Sequence, residues 1–148
     1  MRRTLPISLL TALALLLVGC GADSRTPDLD RLGEQVRSSA QDARARVDQV
    51  RESLSETSGL DADARAKVEA ATAAAAAAVE QARAALDETS STVGPETEAA
   101  VADARRALDD ATTRINDAAA DAQGGLRTAL DELANQVQRL SDRLDDAT

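Results

Sequence analysis

The 148-residue sequence has no histidine, tryptophan, tyrosine or phenylalanine, one lysine (Lys67) and one cysteine (Cys20). Each absence closes a class of function. Most side chains that act as general bases, nucleophiles or zinc ligands near neutral pH are missing. Asp, Glu, Ser, Thr, Arg and amides are left, so no enzymatic activity, cofactor or metal is expected. A lone cysteine cannot close a disulfide within the chain. Positive charge is outnumbered, 17 Lys and Arg against 26 Asp and Glu giving a formal net charge of −9. Nucleic acid requires a basic surface that neutralises phosphates and is not expected as a partner. Anionic lipid headgroups are repelled for the same reason.

The longest hydrophobic run stands at the start. Met1-Arg2-Arg3 forms a positive n-region, and Leu5 to Val18 is apolar apart from Pro6, Ser8 and Thr11. That is the length of a secretory signal, short of the roughly 20 apolar residues of a spanning helix. It closes with Leu17-Val18-Gly19-Cys20, a small residue directly before the cysteine. This ending resembles the lipobox of bacterial lipoproteins. The resemblance implies lipidation of the Cys20 sulfur by diacylglycerol, with palmitate among the acyl chains, and cleavage between Gly19 and Cys20. One acyl chain gives only reversible membrane binding, whereas two or three make attachment effectively permanent. The expected location is therefore the cell membrane or outer membrane, lipid-anchored on the extracytoplasmic side. Three regions follow: a signal peptide at 1–19, the lipidated cysteine with a flexible tether at 20–27, and an alanine-rich helical domain at 28–148.

Large aliphatic residues are sparse in the part that remains. Leu, Val and Ile make up 20 of the 129 residues from Cys20 onward, below the roughly 20% share at which high net charge begins to signal disorder. Loss of Arg2 and Arg3 with the leader takes the formal charge from −9 to −11. Alanine works against disorder. It supplies 31 of those 129 residues and is the best helix former, so helices can persist around a thin core.

Apolar positions from Leu29 onward step by three and four, the signature of amphipathic helices. The first, about 28–57, presents Leu29, Leu32, Val36, Ala40, Ala43, Val47, Val50 and Leu54, with Thr26 as N-cap and Pro27 in the first helical position. Ser58-Gly59 ends it, Gly59 suiting a left-handed cap and Leu60 the hydrophobic contact after it. The second, about 61–89, starts on Asp61 as N-cap and shows Ala64, Val68, Ala71, Ala75, Val79 or Ala78, Ala82 and Leu86. Its middle, Ala73 to Ala78, buries little area per residue and predicts the weakest seam. The third, about 95–122, has Pro95 in its first turn, Glu96 and Glu98 near the positive dipole end, and the stripe Val101, Ala104, Leu108, Ala111, Ile115, Ala118, Ala122. The fourth, about 126–146, follows Gly124-Gly125, which reads as a turn, although the step of four from Ala122 to Leu126 also allows a continuous, bent helix. It carries two heptad series, Leu126, Leu133, Leu140 and Leu130, Val137, Leu144, flanked by Arg127, Ala134, Gln136, Ser141 and Arg143.

The fold class is thus all-α. Four segments of about 40 Å each favour an antiparallel helical bundle, while the same periodicity fits an extended coiled coil reaching roughly 170 Å. The pairs Asp42 with Arg46, Asp63 with Lys67 and Asp110 with Arg114 have the favourable i, i+4 order of a solvated helix face. Adjacent acids at Asp109-Asp110 and Asp145-Asp146 diverge by about 100° on a helix and are not a cation site.

In general type the chain resembles small helical envelope lipoproteins such as the major outer-membrane (Braun-type) lipoprotein. That family's wall linkage uses a C-terminal lysine, and here the last residues are Asp145-Asp146-Ala147-Thr148. The expected role is structural or protein-interacting at the envelope. Its partners would be the membrane through the lipid, and a homo-oligomer or another helical protein. The alternative is an apolipoprotein-like carrier of lipid or another apolar ligand.

Overall fold

A computed structural model describes residues 26–91 and 94–146, which form four α-helices and, among those residues, no strand. They are α1 (Thr26–Glu56), α2 (Ala62–Ser91), α3 (Pro95–Asp121) and α4 (Gly124–Asp146). Thr26, read as a cap, already lies in the helix. Asp61 caps α2 as expected, its Oδ1 accepting from the Ala64 amide at 2.7 Å, which satisfies one of the four amide donors left over at a helix start. Gly59 takes φ +112° in the 57–61 connection, and Leu60 packs half-buried against the core. Pro95 opens α3, with Glu96 and Glu98 in its first turn.

A second boundary differs from the sequence expectation. The turn expected at Gly124-Gly125 lies at 122–123, and Gly124, at φ +61°, already opens α4. Ala122 leaves α3 in extended geometry (φ −87°, ψ 157°) while its amide still donates to the Ala118 and Ala119 carbonyls. The left-handed step that a glycine permits is thus used to enter the next helix.

Polar contacts between helices fix the topology. Arg37 meets Asp87 and Arg44 meets Glu80, so α1 and α2 run antiparallel. Along α1 and α4, Arg46 meets Glu132 while Arg143 reaches the Gln35 carbonyl, again antiparallel. The helices form a closed ring in chain order, α1 lying beside α2 and α4, and α3 beside α2 and α4. This is the up-down-up-down bundle; the chain folds back at each break instead of extending into one long coil.

The apolar stripes converge inside the ring. Leu126, Leu130, Leu133, Val137, Leu140 and Leu144 of α4 are at most 1% exposed, and each such side chain contributes about 1.5–3 kcal/mol on burial. Leu108 and Ile115 of α3 and Val36, Val50, Val68 and Val79 of α1 and α2 are also fully buried. The side chains of Leu29 and Leu32 lie outside the described residues.

α2 and α3 make the most extensive close backbone approach of any pair. Ala71, Ala78 and Ala85 recur every seventh residue in α2, as do Ala104, Ala111 and Ala118 in α3, and all six are buried. The register set by Lys67 and Asp121 brings them level in pairs: Ala71 with Ala118, Ala78 with Ala111, Ala85 with Ala104. Methyl groups on both sides let the two backbones come together, so small side chains gain van der Waals contact through proximity.

Candidate functional site

Gly19 and Cys20, the cleavage and lipidation residues read from the sequence, lie outside the described residues. What the structure places is the body that such an anchor would carry. α1 starts at the end of the bundle that also holds the end of α2, the start of α3 and the end of α4. There Arg105 donates through Nη2 to the Leu144 carbonyl at 3.1 Å and pairs through Nε with Asp145 at 2.6 Å. A cation thus sits at the negative end of the α4 dipole.

Of the three charge pairs expected within helices, Asp110 with Arg114 forms, at 2.8 Å. The other two cations turn outward to neighbouring helices. Arg46 bonds Gln49 and, on α4, Glu132, each at 2.6 Å. Lys67 crosses from α2 to Asp121 of α3. Once helices pack, a carboxylate on the next helix comes as near as one a turn away, and a spacing rule along one helix cannot register it. The hydrogen bond and charge of Asp121 hold the Lys67 ammonium above the usual lysine value, with Asp117 and Asp61 adding in the same direction.

Gln136 is one of the residues flanking the α4 heptads. It is 7% exposed and donates through Nε2 to the Ser39 carbonyl at 3.3 Å, while its Oε1 accepts from Arg139 Nε at 3.1 Å. One helical turn along α1, Arg143 donates to the Gln35 carbonyl at 2.9 Å. Together they make a polar lock between α1 and α4. The signal for it in the sequence was a glutamine one residue ahead of Val137 in an otherwise leucine-rich seam.

Shallow grooves run between adjacent helices among the described residues. One of about 350 Å³ lies between α1 and α2 and is lined by Arg44, Val47, Arg51, Ala76, Ala77 and Glu80, among others. A second, about 450 Å³, runs between α2 and α3 past Lys67, Arg114, Asp117 and Asp121. The third, about 430 Å³, runs past Asp42, Arg46, Gln49 and Gln136 between α1 and α4. All three are open troughs between adjacent helices. Among the described residues no three acidic or thiol side chains converge as a metal site would require, and no helix is long and apolar enough to cross a membrane. The chain matches no protein-family model, no curated protein and no solved structure.

Proposed function

We propose that the chain is a lipoprotein held by the lipid on Cys20 at the extracytoplasmic face of an envelope membrane, where its four-helix bundle has a structural or protein-interaction role and catalyses no reaction. The anchor rests on Arg2-Arg3, the apolar run to Val18 and the Gly19-Cys20 step. The role rests on one observation: the apolar stripes of the four helices are spent on the chain's own core. The outward faces are left to Arg, Asp, Glu, Gln and alanine, a surface suited to polar contact with another protein. The lipid is then the principal hold on the membrane.

The test is expression of the full chain in a bacterium fed radioactive palmitate, followed by carbonate washing of the membranes. The wild type is expected to take up label and stay with the membrane, whereas Cys20→Ala takes up none and is released or misprocessed. Membrane retention of an unlabelled wild type through the wash would sink the reading.

A second reading, a carrier of lipid or another apolar ligand, is favoured by the α1–α2 groove, where Val47 and two alanines line the trough. Circular dichroism with and without liposomes separates the two. The structural reading expects full helicity without lipid; the carrier reading expects a lipid-dependent spectrum.

A further inference from the structure

We infer that the bundle opens along the α1–α2 seam, separating a layer of α2 with α3 from a layer of α1 with α4, and that the ion pairs Arg37–Asp87 and Arg44–Glu80 are the strap that holds it shut. The inference concerns the packing of the chain itself and does not depend on the anchor or on any ligand. Its first ground is a contrast among the four seams of the ring. α2 and α3 meet through level alanine heptads, and α1 and α4 are joined by the buried Gln136 bond to Ser39 and by Arg143 on Gln35. α3 and α4 are linked by a two-residue turn at 122–123 and by Arg105 on Leu144 and Asp145. α1 and α2 make the least extensive close approach of the four adjacent pairs.

The second ground is what lies in that seam. The trough of about 350 Å³ has Val47 on the α1 side and only Ala76 and Ala77 as apolar lining on the α2 side. The trough itself therefore adds little apolar contact across the seam, which is held by the core residues beneath it. The third ground is the nature of the cross-seam bonds. Arg37 and Asp87 are 53% and 69% exposed, and Arg44 and Glu80 are 42% and 55% exposed. Exposed pairs hold weakly and exchange readily with water. The connection that must yield is also the longest between fully described helices, residues 57–61 with Gly59 at φ +112°, against two residues on the opposite side. A longer connection and the least extensive close approach thus coincide on one seam, where exposed pairs are left to hold it. On the α2–α3 and α1–α4 seams the comparably exposed pairs Lys67–Asp121 and Arg46–Glu132 only add to the packing, and the α3–α4 side is built as the hinge.

The test uses the full chain with single buried cysteines and follows alkylation by N-ethylmaleimide, read peptide by peptide by mass spectrometry so that Cys20 is counted separately. Val47→Cys reports the seam, and Val101→Cys on α3, equally buried at 2% exposure, reports general unfolding. Val47→Cys is expected to react faster than Val101→Cys. Adding Arg37→Gln and Arg44→Gln accelerates it about twofold to thirtyfold, the range for losing two exposed ion pairs, and leaves Val101→Cys unchanged. Arg127→Gln, which alters net charge by the same step as each strap variant at an exposed site on α4, changes neither rate. Equal rates at the two cysteines, or equal acceleration of both by the arginine variants, would overturn the inference. Because the chain has no aromatic residue, Ala76→Trp gives an independent probe in the groove. Acrylamide quenching that rises when the two arginines are replaced supports the strap, and quenching that stays the same overturns it.

Discussion

Two glycines show how backbone angle, and not residue type, decides the worth of a position. Gly33 lies inside α1 with nothing within 4 Å of where a Cβ would stand, and Gly124 opens α4 at φ +61° with equally open space around it. Helical geometry suits alanine at position 33, so Gly33→Ala is expected to stabilise the chain by about 0.4–1 kcal/mol, chiefly by narrowing the unfolded ensemble. At 124 the same change forces an L side chain into the left-handed region, at a cost of about 1–2 kcal/mol. Urea unfolding followed by circular dichroism reads both, and equal signs for the two variants would contradict this account. The residue scale is also where the sequence was least legible. Asp61 was recognisable as a cap because its partner lies three residues away. Arg46, Lys67 and Gln136 find theirs 86, 54 and 97 residues away, and no local rule carries that information.

At the scale of the element, the stripes could be read directly because apolar spacing of three and four survives even when alanine replaces larger residues. The stripe residues expected for α2, α3 and α4 are buried, as are those of α1 from Val36 onward. The two faces of α2 were not legible in this way. Its alanine centre predicted a thin seam on grounds of area alone, but the sequence does not show which neighbour each alanine meets. Against α3, alanine heptads on both helices allow close approach; against α1, alanine leaves a trough. Size should therefore act oppositely on the two sides. Ala78→Leu or Ala111→Leu inserts bulk where the backbones are closest and is expected to cost about 1–3 kcal/mol. Ala76→Leu, half-buried beside the groove, has room and is expected to change stability by no more than about 0.5 kcal/mol. Matched denaturant melts would expose an error if all three were equally costly.

For the molecule as a whole, periodicity alone fitted two shapes, because a stripe does not say whether it is met by another part of its own chain or by another chain. The decision rests on punctuation: Gly59, the Gly94-Pro95 step and the break after Asp121 turn each helix back within a few residues, so the nearest partner for every stripe is its own neighbour. The longest helix, α1 at 31 residues, sets the length of the body at about 46 Å at 1.5 Å per residue. The extended alternative would reach roughly 170 Å. Because the stripes are closed within one chain, no second copy is needed to complete the core. Residues 21–148 are therefore expected to scatter as a monomer with a maximum dimension near that of α1 plus the residues ahead of it, 21–25, which span at most about 18 Å when extended. Small-angle scattering with a light-scattering mass tests both quantities together. A maximum dimension above about 100 Å, well beyond α1 and those residues combined, or a mass that doubles at micromolar concentration, would show the stripes opened toward a partner. In that case the α1–α2 seam, which makes the least extensive close approach of the four adjacent pairs, is the place at which the ring would have parted.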